Sequence, residues 1–134
     1  MEESSASVAN EVIITKSAPA AIGPYSQAIK SGDLIFTAGQ IPLDPSTMTI
    51  VEGGIEAQAE RVMKNLEAIL TEAGSSFAQV VKTTCFLADL ADFPAFNAIY
   101  ATRFPTNPPA RSTVQVAKLP MGVLVEVECV ARTR

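Results

Sequence analysis

The sequence predicts a single α+β domain in which two helices pack on one face of a mixed sheet. Three observations predict it. At 134 residues the chain is long enough for one core and too short for two ordinary ones. One long stretch carries apolar residues at helical spacing, and β-branched runs of strand length lie on either side of it. The final run alternates with a period of two, so that only one of its faces is uniformly apolar.

The elements follow in order. Met1 to Asn10 is rich in Ser, Glu and Ala without an apolar period, and is expected to be a flexible tail before a domain spanning 11–134. Val12 to Thr15 forms a short strand, and Ser17 to Pro24 is a Pro/Gly/Ala loop leading into Tyr25-Ser26-Gln27. Ala28 to Lys30 and Leu34 to Gly39 make a hairpin around Ser31-Gly32-Asp33, where the glycine supplies a positive φ. Gln40 to Gly54 contains Pro42, Pro45 and Gly53-Gly54 and reads as a long excursion. From there Ile55, Ala59, Val62, Leu66, Ile69, Leu70 and Ala73 trace the apolar stripe of a helix about 20 residues long, stopped by Gly74. Val80 to Leu87 is a strand. Asp92 is placed to cap a shorter helix with Pro94 in its first turn and Phe96, Ile99 and Tyr100 as its buried stripe. Ser112 to Val116 and Val123 to Ala131 are the last two strands, joined by a turn around Pro120-Met121-Gly122.

Two helices cover one face of such a sheet. Val123, Val125, Val127, Cys129 and Ala131 suit that face. Leu124, Glu126, Glu128 and Val130 point the other way, a set too apolar for open water and too acidic for a core. A sheet face buried against a sister subunit around a polar pocket has this character.

Composition narrows the function. Net charge is −4 and the ten basic residues are scattered, with no basic stripe to track a phosphate backbone. Nucleic acid is therefore not an expected partner. No apolar run approaches the roughly 18 residues that span a bilayer, so no membrane segment is expected. The expected compartment is the cytoplasm, with a mitochondrion or plastid the destination if a presequence has been removed. The apolar fraction of 48% alongside 18% charged residues favours a homo-oligomer. Cys85 and Cys129 lie inside β-type runs without CxxC spacing and read as reduced core thiols. The chain has no histidine, which removes the commonest general base and the commonest metal ligand together. No metal site is expected, and with no GxGxxG, Walker or GxSxG motif, no cofactor either.

The richest segment runs from Asn107 to Ala131. Arg111 follows a stiff Pro108-Pro109-Ala110 entry, and an acidic strand returns after Leu119-Pro120-Met121-Gly122, so a fixed cation and a fixed carboxylate are expected to face one pocket. Arg111 is read either as a planar fork for a substrate carboxylate or as a surface arginine in an ion pair worth ~0–1 kcal/mol. Glu126 and Glu128, two apart on one strand face, are a solvated edge or a general base with its supporting carboxylate. Tyr25 after Gly23-Pro24 is a lid, a donor or a core residue. Asn97 is a helix amide facing water or a ligand, and Gly39 is a bend or an open N–H.

These same positions carry a resemblance. Ala18-Pro-Ala-Ala-Ile-Gly-Pro-Tyr-Ser-Gln27, Ala38-Gly-Gln-Ile-Pro42, Val81-Lys-Thr-Thr84, Leu87-Ala-Asp-Leu-Ala-Asp-Phe93, Asn97-Ala-Ile-Tyr100, Pro109-Ala-Arg-Ser112 and Val125-Glu-Val-Glu128 occur in one order. The chain closely resembles, from about Lys16 to Arg132, the Rid/YjgF family of reactive-intermediate deaminases of the RidA type, which act on 2-iminobutanoate and 2-iminopropanoate. The resemblance implies a chorismate-mutase-like α+β fold, a homotrimer with active sites in the clefts between subunits, and cofactor-free hydrolysis. The substrates would be enamine and imine intermediates released by pyridoxal-phosphate enzymes, and the products 2-keto acids and ammonia. By motif, Arg111 would clamp the substrate carboxylate and Glu126 would hold or activate water. Tyr25, Gly39 and Asn97 would line the pocket. Thr113 stands where many bacterial members have cysteine, so a thiol nucleophile is absent there and the hydroxyl is left to hydrogen-bond nitrogen or water. Two other classes stand beside the deaminase: a non-enzymatic module that binds small carboxylates, and an RNase or translation inhibitor.

Overall fold

The structure, a computed structural model, describes residues 9–134. The expected tail lies, from Met1 to Val8, outside the described residues. Ten regular elements follow: β1 (Glu11–Ile13), β2 (Ala28–Ser31), β3 (Leu34–Thr37), β4 (Leu43–Asp44), β5 (Thr49–Ile50), α1 (Ile55–Glu72), β6 (Val80–Leu87), α2 (Phe93–Ala101), β7 (Ala110–Gln115) and β8 (Val125–Arg132). A six-stranded mixed sheet has the order β1-β2-β3-β8-β6-β7, and both helices pack on one face of it, as the α+β expectation requires.

Helix α1 forms because its apolar stripe is periodic, and every residue of the expected stripe is buried. Its end is a Schellman motif. Gly74 takes φ +80°, its N–H donates to the Thr71 carbonyl, and the Ser75 N–H donates to the Leu70 carbonyl. Helix α2 begins after Asp92, with Pro94 in its first turn, but the Asp92 side chain makes no capping bond. Asp89 caps instead, accepting from the Ala91 N–H at 2.9 Å at the start of a short 3-10 turn. Phe96 and Tyr100 are buried and Ile99 is half-buried.

Two connections show how the strands are ordered. The last two strands, joined through the segment around Pro120-Met121-Gly122, do not pair with each other. β7 pairs only with β6, in parallel, while β8 inserts between β3 and β6 and is antiparallel to both. A parallel pair needs a long crossover, and the α2 segment between β6 and β7 supplies it. The excursion from Gln40 to Gly54 contains a small hairpin of its own, with Leu43 opposite Ile50. The Asn65 amide of α1, fully buried, holds this segment down by donating to the carbonyls of Ile41 at 3.1 Å and Leu43 at 3.0 Å.

The two faces of the sheet differ as the alternation in β8 predicts. Val123, Val125, Val127, Cys129 and Ala131 are buried beneath the helices. On the opposite face Leu124, Glu126 and Val130 are half-buried and Glu128 is exposed. Strand register places Val12, Phe36 and Val114 on that same open face, and they are 53%, 45% and 43% exposed.

Candidate active site

Arg111 lies on the edge strand β7 opposite Thr83 of β6, which points into the core. Parallel pairing gives the two side chains the same sense, so Arg111 faces α2. There its Nη1 donates to the Asn97 Oδ1 at 2.7 Å. Its guanidinium carbon stands 4.5 Å from the ring centre of Tyr100 and 5.2 Å from that of Phe93. Phe93, Asn97 and Tyr100 are spaced i, i+4, i+7 on α2 and so form one stripe. Among the described residues no carboxylate lies within ion-pair reach of Arg111. Among the described residues its hydrogen-bond partner is an amide rather than a carboxylate.

Thr113 lies two residues on, level with Cys85. Its hydroxyl oxygen is buried and has no hydrogen-bond partner among the described residues. Burial pushes the Cys85 thiol up to about 11 and the Cys129 thiol up to about 12. Both are buried free thiols, protonated at neutral pH and poor nucleophiles.

Glu126 occupies the other face. It lies opposite Phe86 on the side away from the helices. Beyond β3 the chain rejoins β8 through Gln40, whose N–H donates to the Val127 carbonyl at 2.8 Å and whose carbonyl accepts from the Val127 N–H at 3.2 Å. That contact lays the backbone of Gly39 against the Glu126 side chain. A Cβ at position 39 would stand 2.9 Å from the carboxylate Cδ, so any larger residue there would force the Glu126 carboxylate to shift from its present position. Burial, and secondly the charge of Glu128, hold the Glu126 carboxyl above the ordinary carboxylate range.

Tyr25 is exposed in the loop before β2, and its phenol oxygen accepts from the Ile22 N–H at 3.4 Å. With Gly39, Ile22 and Ile41 it lines a cavity of about 40 Å³. A larger, mostly apolar groove of about 650 Å³ runs along β1, past Val12, Ile14, Lys16, Tyr25 and Met48, and touches neither Arg111 nor Glu126.

The expected site residues thus fall into two groups. Arg111, Asn97 and Thr113 gather under α2, whereas Tyr25, Gly39 and Glu126 gather about the open face. Arg111 and Glu126 do not face one pocket within a single chain, because adjoining strands β7, β6 and β8 hold them on opposite sides of the sheet. Sequence reasoning also missed Phe93, Tyr100 and Thr83 around Arg111. The helical spacing of Phe93, Asn97 and Tyr100 was the available signal.

Among the described residues no group of three or more His, Cys, Asp or Glu is placed to hold a metal, and no helix is long and apolar enough to cross a membrane. The family described as Endoribonuclease L-PSP matches residues 15–133. The chain belongs to that family, the Rid/YjgF family. It is 50% identical to the mouse 2-iminobutanoate/2-iminopropanoate deaminase, covering 93% of each protein. It is 52% identical to Reactive Intermediate Deaminase A, chloroplastic, of Arabidopsis thaliana, over 96% of this chain and 68% of that one. Among solved structures, E. coli TdcF with bound serine is similar at a TM-score of 0.86 and 40% identity, covering 91% of this chain and 98% of that one.

Proposed function

We propose that the protein hydrolyses reactive 2-imino acids, 2-iminobutanoate and 2-iminopropanoate and their enamine tautomers, to 2-keto acids and ammonia without a cofactor. The observation that carries this reading is Arg111, a partly buried cation held by an amide and two aromatic rings with its charge left for a ligand. A substrate carboxylate supplies the missing counter-charge through two parallel hydrogen bonds. The names of the mouse and Arabidopsis relatives, and the serine bound to TdcF, support a small amino-acid-like ligand.

The chemistry asks little of the protein. The carbon of a protonated imine is already electrophilic, so positioned water and one base suffice. Glu126 takes a proton as the water oxygen bonds to that carbon, giving a carbinolamine. Glu126 then passes that proton to the nitrogen, the C–N bond breaks as ammonia leaves with the bonding pair, and the freed carboxylate takes the hydroxyl proton as the carbonyl forms, to be returned to bulk water before the next turnover. The Thr113 hydroxyl, which has no partner among the described residues, suits a hydrogen bond to the nitrogen or to water.

A site using both Arg111 and Glu126 has to draw them from different chains. Their placement on opposite faces, with the apolar open face, supports the homotrimer with active sites in the clefts between subunits. The proposed compartment is the cytoplasm, and the chloroplastic Arabidopsis relative supports a plastid as the alternative.

To test the reaction, 2-iminobutanoate is generated with threonine dehydratase and its disappearance is followed with native protein and with Arg111→Ala. The native protein should accelerate the loss and the variant should leave it at the uncatalysed rate. Equal rates defeat the proposal, and keto-acid binding without turnover would favour the carboxylate-binding module. The family description favours the RNase reading. Against it stand the net charge of −4 and the lack of a basic track. RNA cleavage abolished by Glu126→Gln would restore it.

A further inference from the structure

We infer that Tyr100, assisted by Phe93, is a positioning residue that fixes the guanidinium of Arg111 and keeps its charge available to a ligand carboxylate. The inference rests on the proposed role of Arg111 as the carboxylate clamp.

The contacts around Arg111 close a ring. Its backbone pairs with Thr83 on β6. The Thr83 hydroxyl, 1% exposed, is 2.7 Å from the Tyr100 phenol oxygen. The Tyr100 ring in turn lies under the guanidinium at 4.5 Å. Backbone, hydroxyl, phenol and ring therefore fix the cation from its own cross-strand neighbour. Phe93 and the Asn97 amide complete the seat.

Three ways of holding a buried arginine differ in what they leave for a ligand. A carboxylate partner would neutralise it. Water would leave its long side chain free to move. Aromatic faces and a neutral amide restrain it and leave the positive charge uncompensated. Tyr100 itself stays an uncharged phenol, because burial raises its ionisation above the usual range. The ring edge is anchored deep in the core through Phe96 and Phe104, whose ring centres lie 5.7 Å and 4.8 Å from that of Tyr100. The seat is thus part of the rigid core rather than of a loop.

The test compares binding of 2-oxobutanoate and of its neutral amide, 2-oxobutanamide, by calorimetry, together with KM and kcat for the imine. Tyr100→Leu should weaken 2-oxobutanoate about 5- to 30-fold and leave the amide unchanged. KM should rise by the same factor while kcat stays within about twofold, because the clamp acts alike on ground and transition states. Tyr100→Phe keeps the ring and should recover most of the affinity. Phe93→Leu, farther from the guanidinium and half-exposed, should produce a smaller loss and carries the comparison if Tyr100→Leu does not fold. Equal weakening of acid and amide, unchanged acid binding in both leucine variants, or no 2-oxobutanoate binding by the native protein overturns the inference. Native protein that binds 2-oxobutanoate but turns over no imine defeats the reaction alone, and the acid-against-amide comparison still decides the role of Tyr100.

Discussion

Glu126 works against its own environment. Burial is the larger cause of its raised pKa and the charge of Glu128 the second. A carboxyl whose pKa is higher in the folded state favours folding while protonated. That contribution is complete below its unfolded value near 4.5 and is lost as pH rises through the folded value. At neutral pH the ionised carboxylate therefore costs stability, and Glu126→Gln should melt above the native protein in calorimetry while losing imine turnover. As a base it acts only when ionised, so kcat/KM should climb through the raised pKa. Glu128→Gln removes one cause of the shift and should move that limb of the pH profile to lower pH. At this scale the sequence was legible where chemistry is rare. One arginine after two prolines and one acidic strand in a chain without histidine left few candidates. It was illegible where chemistry is ordinary, since Tyr100 and Thr83 look like any core residues until packing brings them beneath Arg111.

Local pattern was enough for the long elements. The stripe of α1 and the alternation of β8 each repeat often enough to declare a buried face, and those faces are buried. It failed where tertiary contact does the organising. β4 and β5 are two residues each, flanked by Pro42 and Pro45, and no periodicity fits in so short a run. They are held by Asn65 from twenty-two residues away along the chain. Asn65→Ala would leave the carbonyls of Ile41 and Leu43 buried without a donor, at about 1–3 kcal/mol. The expected consequence is a melting temperature lower by about 4–12 °C, read by thermal unfolding. The pairing of β7 was hidden for a related reason. Its partner β6 lies across α2, and nothing in Ser112 to Val116 distinguishes a neighbour before the helix from one after the turn.

For the whole molecule, the sheet is a partition. Its covered face seats Arg111 and its open face presents Glu126 among Phe36, Val114 and Val130. Sites shared between subunits of a trimer permit a complementation test. Arg111→Ala and Glu126→Gln, each inactive alone, are unfolded together and refolded in equal amounts. Random assembly should then return about one quarter of native activity, since a working site needs the arginine of one variant beside the carboxylate of the other. No recovery from a mixture shown to contain mixed trimers would place both groups in one chain's site. If sites form only between subunits, the same partition would make the protein's output depend on how much of it is present. A newly made chain would then hold every group the proposed reaction uses without bringing the two halves together. On the trimeric reading it is inert until it meets its partners, and below the concentration at which trimers dissociate, activity per chain should fall steeply on dilution while the fold of each chain persists.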